Sequence, residues 1–319
     1  MTGRAFVITI ASILILTPCK SDAAERFAGD FLMLGSGARA LGMGETAVAV
    51  SDDATSVYYN PAGLSGMTGP SLNLMHSEQF GGLENYNTFS AAAPLSDDIY
   101  VGAALIHLGV GDIKYTRLWD PSKALSDSNR VEIASREDAN DYSLFLSGAK
   151  RFSDKLSTGI NVKLIRRSIA SDTAFGFGID AGIRFIQDDN WVFGAILRDL
   201  TGTTIAWDGH SSDRIAPTLD TGVAFRGTLP FFGGPYTLSG SMVFFGDSPR
   251  VKGLSTMHIG LEYRIIDVFT VRAGSSEGNA SFGAGIMRLP MLSSTSLDYA
   301  FISHESLDST HRLSLEIRL

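Results

Sequence analysis

LSTGINVKLIRR at residues 156–167 and AFGFGIDAGIRF at residues 174–185 decide how this chain folds. In the first stretch, Thr158, Ile160, Val162 and Leu164 fall on one side of an extended backbone, and Ser157, Gly159, Asn161 and Lys163 fall on the other. The second repeats the pattern more sharply. Phe175, Phe177, Ile179, Ile183 and Phe185 oppose Gly176, Gly178, Asp180, Gly182 and Arg184. A period of two belongs to strands, because successive side chains of a strand point to opposite faces. A soluble antiparallel sheet with one wet face would fill its polar side with lysine and glutamate. Here that side is glycine, serine and alanine with isolated charges, which fits the inner face of a barrel whose apolar face meets lipid.

The same alternation recurs along the chain. Strands are expected near 71–76, 84–93, 99–109, 141–150, 156–168, 174–186, 191–200, 217–226, 236–245, 257–264, 269–275, 280–289, 294–302 and 311–319. That is about fourteen, several of them near the length a tilted strand needs to cross a bilayer. On this reading Lys163, Asp180, Arg184, Asp220, Glu262, Arg272 and Asp298 point into the lumen. Charges of both signs inside a barrel are expected to satisfy one another or a lumen segment before they serve a polar substrate. The last strand runs flush to the C-terminus: Leu313, Leu315, Ile317 and Leu319 alternate with Arg312, Ser314, Glu316 and Arg318.

The links support the same architecture. Short ones at 94–98, 151–155, 187–190 and 265–268 each contain an aspartate and have room for little more than a turn. Longer ones at about 110–140, 201–216 and 246–256 alternate with them, as periplasmic turns and outer loops do in outer-membrane barrels. An even strand count puts both termini on the periplasmic side. Trp191 reads as an interfacial anchor, and Trp119 and Trp207 as loop residues open to a partner.

Composition narrows the function. Of 319 residues 44% are hydrophobic and 19% charged, yet beyond the N-terminus no apolar run is long enough for a spanning helix. Arg4, the apolar run Ala5 to Pro18 and the small residues of Ser21-Asp22-Ala23 read as a signal peptide at 1–23 that is removed on export. The single cysteine, Cys19, would leave with it. The net charge of −8 and the lack of a dense basic cluster argue against nucleic acid. The six histidines, at 76, 107, 210, 258, 304 and 311, show no i, i+4 zinc spacing, so neither metal nor cofactor is expected. His210 beside Asp208 and Ser211-Ser212-Asp213 is the nearest approach to a catalytic cluster. Its place in an outer loop marks these residues as solvated turn formers, and the chain is read as no enzyme.

Residues 24–70 precede the barrel at 71–319, and their core, FLMLGSGARALGMGETAVAVSDDATSVYYNPAGL at 31–64, lacks strand alternation. Gly42-Met43-Gly44 has two glycines of a phosphate loop but no preceding strand of a βαβ unit. The small residues suit close packing in a confined space. Asp52-Asp53-Ala54-Thr55 can open a short helix that Asn60-Pro61 ends.

These same residues carry a family resemblance. Gly37-Ala38-Arg39-Ala40-Leu41-Gly42-Met43-Gly44, then Ala49-Val50-Ser51-Asp52-Asp53-Ala54-Thr55, then Tyr59-Asn60-Pro61-Ala62-Gly63-Leu64 resemble the N-terminal signature of the PorV/PorQ family, itself similar to FadL-type fatty-acid transporters. The resemblance implies a closed all-β transmembrane barrel of about fourteen strands whose N-terminal segment folds back into the lumen as a hatch. Gly42, Gly44, Asp52, Asp53, Asn60, Pro61, Ala62 and Gly63 would belong to that hatch. It also implies an outer-membrane protein in contact with lipid that binds exported proteins and secretion-system components in type IX-like secretion. The alternative is a FadL-like conduit for hydrophobic ligands such as long-chain fatty acids.

Overall fold

The alternation at 156–186 becomes a hairpin of two long strands, and every other strand among the described residues joins the same sheet. The computed structural model describes residues 29–209, 211–229, 233–245, 255–289, 292–304 and 309–319. The expected signal peptide at 1–23 and His210 lie outside the described residues. The strands are β1 (Ser71–Gln79), β2 (Glu84–Pro94), β3 (Ile99–Leu118), β4 (Val131–Arg151), β5 (Leu156–Ile169), β6 (Asp172–Ile186), β7 (Trp191–Arg198), β8 (Thr203–Trp207), β9 (Ser212–Ile215), β10 (Thr218–Thr228), β11 (Pro235–Phe245), β12 (Ser255–Ile266), β13 (Phe269–Ser276), β14 (Asn279–Leu289), β15 (Leu292–Ile302) and β16 (Thr310–Arg318). All pairings are antiparallel. The pairs β1–β16 and β5–β6 close fourteen of the strands into a barrel, while β8 and β9 form a hairpin that leaves the ring and pairs with the outer end of β6.

Burial follows the sequence parity. Along β5, Ser157, Gly159, Asn161 and Lys163 are buried while Ile160 and Leu164 are exposed, and along β6 Asp180, Gly182 and Arg184 are buried while Phe175, Phe177 and Ile183 are exposed. The outer wall carries apolar side chains in cross-strand rows. Leu315, Leu74, Phe89, Leu105, Leu144, Leu164 and Phe177 are register partners from β16 around to β6. Such a continuous apolar exterior is costly in water and at home in hydrocarbon. The next outward row on β1 to β5 is His76, Asn87, His107, Tyr142 and Arg166, where the wall turns polar. Trp191 lies near the other edge, 4.8 Å from the Phe225 ring, as interfacial aromatics do.

Two of the expected loops are built differently. The stretch 110–140 is mostly strand: β3 and β4 run on beyond the barrel wall as a projecting hairpin, with bulges after Val110 and Tyr115. Its polar residues hid it, since both faces of a free-standing hairpin are wet. The loop 201–216 contains β8 and β9. The contrast in loop length is also less regular than expected, because Ala170-Ser171 and Glu277-Gly278 make tight turns at the long-loop end. Glu277 (φ 53) and Gly278 (φ 87) have the paired left-handed conformation of a tight hairpin turn.

The C-terminus lies at the short-turn end, where Leu319 N donates to Pro70 O. Gly29 lies at the opposite end, packed against Ile215 of β9. Between them, residues 29–70 hold two short helices, α1 (Ala38–Gly42) and α2 (Ser56–Tyr59), the latter ended by Asn60. This segment packs against inward-facing residues of the wall, and the largest buried cluster is made by the two together.

Candidate functional site: the lumen segment and the vestibule above it

The wall receives the segment through its inward glycines. A side chain at Gly159 would meet the Pro61 carbonyl carbon at 2.5 Å, and one at Gly182 would collide with Asn60 Oδ1. Gly194 abuts Val48, Gly260 and Gly274 abut Met43, and a Cβ on Gly42 would stand 3.0 Å from Gly283 Cα. Gly44 has φ +64, and a Cβ on it would stand 2.6 Å from Ser275 N. At Gly159, Gly194, Gly260 and Gly274 the wall backbone thus touches the segment backbone, whereas Gly182 makes room for the Asn60 side chain and Gly178 for the side chains of Thr203, Lys163 and Asp199.

The motif residues serve this packing. Asn60 caps the turn that follows it, accepting from Ala62 N at 3.1 Å, and its amide donates to Val48 O at 3.0 Å and to Ile183 O of the wall at 3.1 Å. Pro61 opens that turn, Ala62 is fully buried, and Gly63 lies on Ser51 O, 2.6 Å from where a Cβ would sit. Asp53 accepts from Thr55 N at 2.7 Å. Asp52 pairs with Arg39 at 3.1 Å and Arg226 at 3.6 Å. Burial would raise the Asp52 carboxyl, but Arg39 and then Arg226, Arg184 and Arg318 hold it below the usual range.

The inward charges fall into separate groups. Lys163 sits between Asp180 at 2.9 Å and Asp199 at 2.6 Å, and all three are buried. Arg272 bridges Glu262 and Asp298, both at 2.7 Å, and Glu262 also takes Arg39 of the segment at 2.9 Å. Asp220 is buried away from both groups and lines the cavity described next, while Arg184 lies near the short-turn end. Sequence reasoning missed Asp199, Arg198 and Arg312. Asp199 follows β7 at φ 53, and Arg198 donates to the carbonyls of Tyr58 at 2.7 Å and Tyr59 at 3.1 Å. Arg312 was legible, since it has the inward parity of the last strand.

Above the segment, toward the long loops, is a cavity of about 430 Å³, within the usual range for small-molecule sites. Leu32, Leu34, Leu41, Tyr58 and Tyr59 form its floor, and Phe145, Val243 and Ile302 contribute apolar wall. Lys163, Arg198, Asp199, Asp220, His258 and Arg312 supply polar groups. The floor is tied down: Tyr58 Oη donates to Leu32 O at 2.6 Å, Gly35 N donates to Tyr58 Oη at 3.1 Å, and Tyr86 Oη donates to Gly35 O at 2.8 Å. Burial pushes the Tyr58 phenol up to about 12, so it stays a neutral donor. Below the floor, the void beside Arg39 and Asp53 holds about 20 Å³, room for about one water molecule. Asp208 takes a hydrogen bond from Thr173, and Asp213 takes one from Trp207 Nε1 at 2.8 Å, while His210 between them lies outside the described residues.

No protein-family model and no curated protein sequence matches the chain. Solved structures do. The Ralstonia pickettii toluene transporter TbuX matches with a TM-score of 0.58 at 14% identity, over 89% of this chain and 98% of that one. The Pseudomonas putida toluene transporter TodX matches at 0.58 and 14%, over 88% and 97%. A Pseudomonas aeruginosa FadL homologue matches at 0.53 and 12%, over 88% and 97%. The first two are transporters by name, and none of the matches supports the PorV/PorQ family in particular. The chain has the FadL-like barrel fold.

Proposed function

We propose that this protein is a FadL-like conduit of the outer membrane that takes up hydrophobic small molecules, long-chain fatty acids or aromatic hydrocarbons among them. The long loops would face the medium and the short turns the periplasm. The vestibule carries this reading: an apolar floor and wall with a few fixed polar groups is the usual make-up of a site for an apolar or amphipathic ligand. The filled lumen beneath it supports a hatch role for the segment, which would then have to shift for a ligand to pass. The names of the transporters that share the fold support the same class.

A second reading, PorV/PorQ-type handling of exported proteins, has the N-terminal motif in its favour. So does Trp119, which is 73% exposed at the tip of the projecting β3–β4 hairpin. One experiment separates the two. A deletion strain and its complemented parent are compared for uptake of labelled palmitate and toluene, and for the surface proteome. The conduit reading expects uptake to fall and the surface proteome to stand. Normal uptake with loss of surface proteins that share a C-terminal domain would overturn it in favour of the second.

A further inference from the structure

We propose that the short-turn mouth of the barrel holds a binding site for a small oxyanion, a carboxylate or a phosphate, built on Arg184 with Arg226 and Arg151. Arg184 stands on the inward face of β6 and is only 3% exposed. Its Nε and Nη1 meet no acceptor among the described residues. Its head lies against Gly66, where even a methyl group would strike Nη1. Arg226, on β10, has the Asp52 carboxylate at 3.6 Å, an ion pair too long for a hydrogen bond. Arg151, at the end of β4, donates to Ser65 O and lies 5.2 Å over the Tyr100 ring. Three strands thus bring guanidiniums to one turn of the lumen segment, and the acid there, Asp52, is already shared with Arg39.

A guanidinium cannot shed its proton to escape burial, so a buried one needs acceptors. Its planar fork fits the two oxygens of a carboxylate or phosphate. Asp52 holds one such group in place. A free oxyanion would complete Arg184, draw Arg226 off Asp52 and loosen the grip of the wall on residues 51–66. The inference goes beyond transport, since it concerns the inner mouth and needs no ligand in the vestibule.

The test uses the full chain, purified in detergent and titrated calorimetrically with inorganic phosphate and, separately, acetate, against chloride at equal ionic strength. The tighter of the two identifies the source. Saturable binding is expected, weakened about tenfold in Arg184→Gln and strengthened several-fold in Asp52→Asn, which removes the competing carboxylate. Arg312→Gln is the control. Its Nε and Nη1 also lack partners among the described residues, but it lines the vestibule at the other end. Should Arg184→Gln fail to fold, Arg226→Gln replaces it, with a weakening of about threefold to tenfold expected. Absence of saturable binding, wild-type affinity in both arginine variants, or loss of binding in Arg312→Gln would each overturn the proposal.

Discussion

Gly42 of the lumen segment and Gly283 of β14 lie back to back: a Cβ built on Gly42 would stop 3.0 Å from Gly283 Cα, and one built on Gly283 would stop 3.1 Å from Gly42 Cα. Backbone faces backbone here, and neither side has a flexible side chain that could swing away. Gly283→Val should therefore lift α1 off the wall at a cost of about 1–3 kcal/mol, the usual penalty of overpacking. The barrel itself should survive, because Gly283 sits in a strand that valine suits. Limited proteolysis would then cut residues 29–66 faster than in the wild type, while the unboiled protein still runs as a folded band. Unchanged protection of the segment would refute the contact.

Lys163 is the hub of a buried group whose acids hold one another's neighbours. Asp180 accepts from Asp199 N at 2.8 Å, and Asp199 accepts from Thr203 as well as from Lys163. Lys163→Met would leave two carboxylates without their cation and should cost about 3–5 kcal/mol, as removing one partner of a buried ion pair does. Adding Asp180→Asn and Asp199→Asn should recover most of that loss, since no charge is then stranded. The midpoint of the heat-dependent gel shift reads both. A single variant as stable as the wild type would mean that the acids find other partners.

Asp53 sets a pH dependence. Burial, and after it the Glu316 carboxylate, push the Asp53 carboxyl up to about 6. The unfolded chain releases this proton near the ordinary aspartate value, whereas the folded chain keeps it to about 6. Between the two values the folded state binds more protons, so stability falls as pH rises through that window and is level above it. The loss is on the order of 2–3 kcal/mol. Asp53→Asn keeps the acceptor for Thr55 and carries no charge, so it should flatten the fall. An equal slope in the wild type and the variant would assign the dependence to other groups.

How much of this was legible beforehand follows from where the information lies. Strand parity is local: Phe175, Phe177 and Ile183 against Asp180, Gly182 and Arg184 tell inside from outside without reference to any other strand. The Asn60-Pro61-Ala62-Gly63 turn is local too, since its cap and its proline act within the turn. The projecting hairpin looks like a loop in sequence because Arg117 and Glu132, or Asp112 and Arg136, pair across strands in water and break up the apolar alternation. The vestibule is not local at all. It joins Leu34, Phe145, Val243 and Ile302, which only barrel closure brings together. The pairing of inward glycines with the segment had a visible half, the glycines, and a hidden half, the backbone they admit.

Ser36 and Thr88 offer a direct test of whether the segment must move. Ser36 Oγ donates to Thr88 Oγ1 at 3.1 Å, joining the segment to the inward face of β2. The chain has a single cysteine, Cys19, which lies in the expected signal peptide, so a cysteine pair placed here would have no internal competitor after export. Ser36→Cys with Thr88→Cys should oxidise spontaneously, because the two side-chain oxygens already stand within reach of a bond between the sulfurs that replace them. If residues 29–66 act as a hatch, the oxidised protein should lose uptake of its hydrophobic ligand by about tenfold or more, and a reductant should restore it. Each single variant controls for the change of side chain. Full uptake by a protein shown to be crosslinked would mean that ligand passes while the segment stays bound to β2, and the hatch role would fall with the barrel fold untouched.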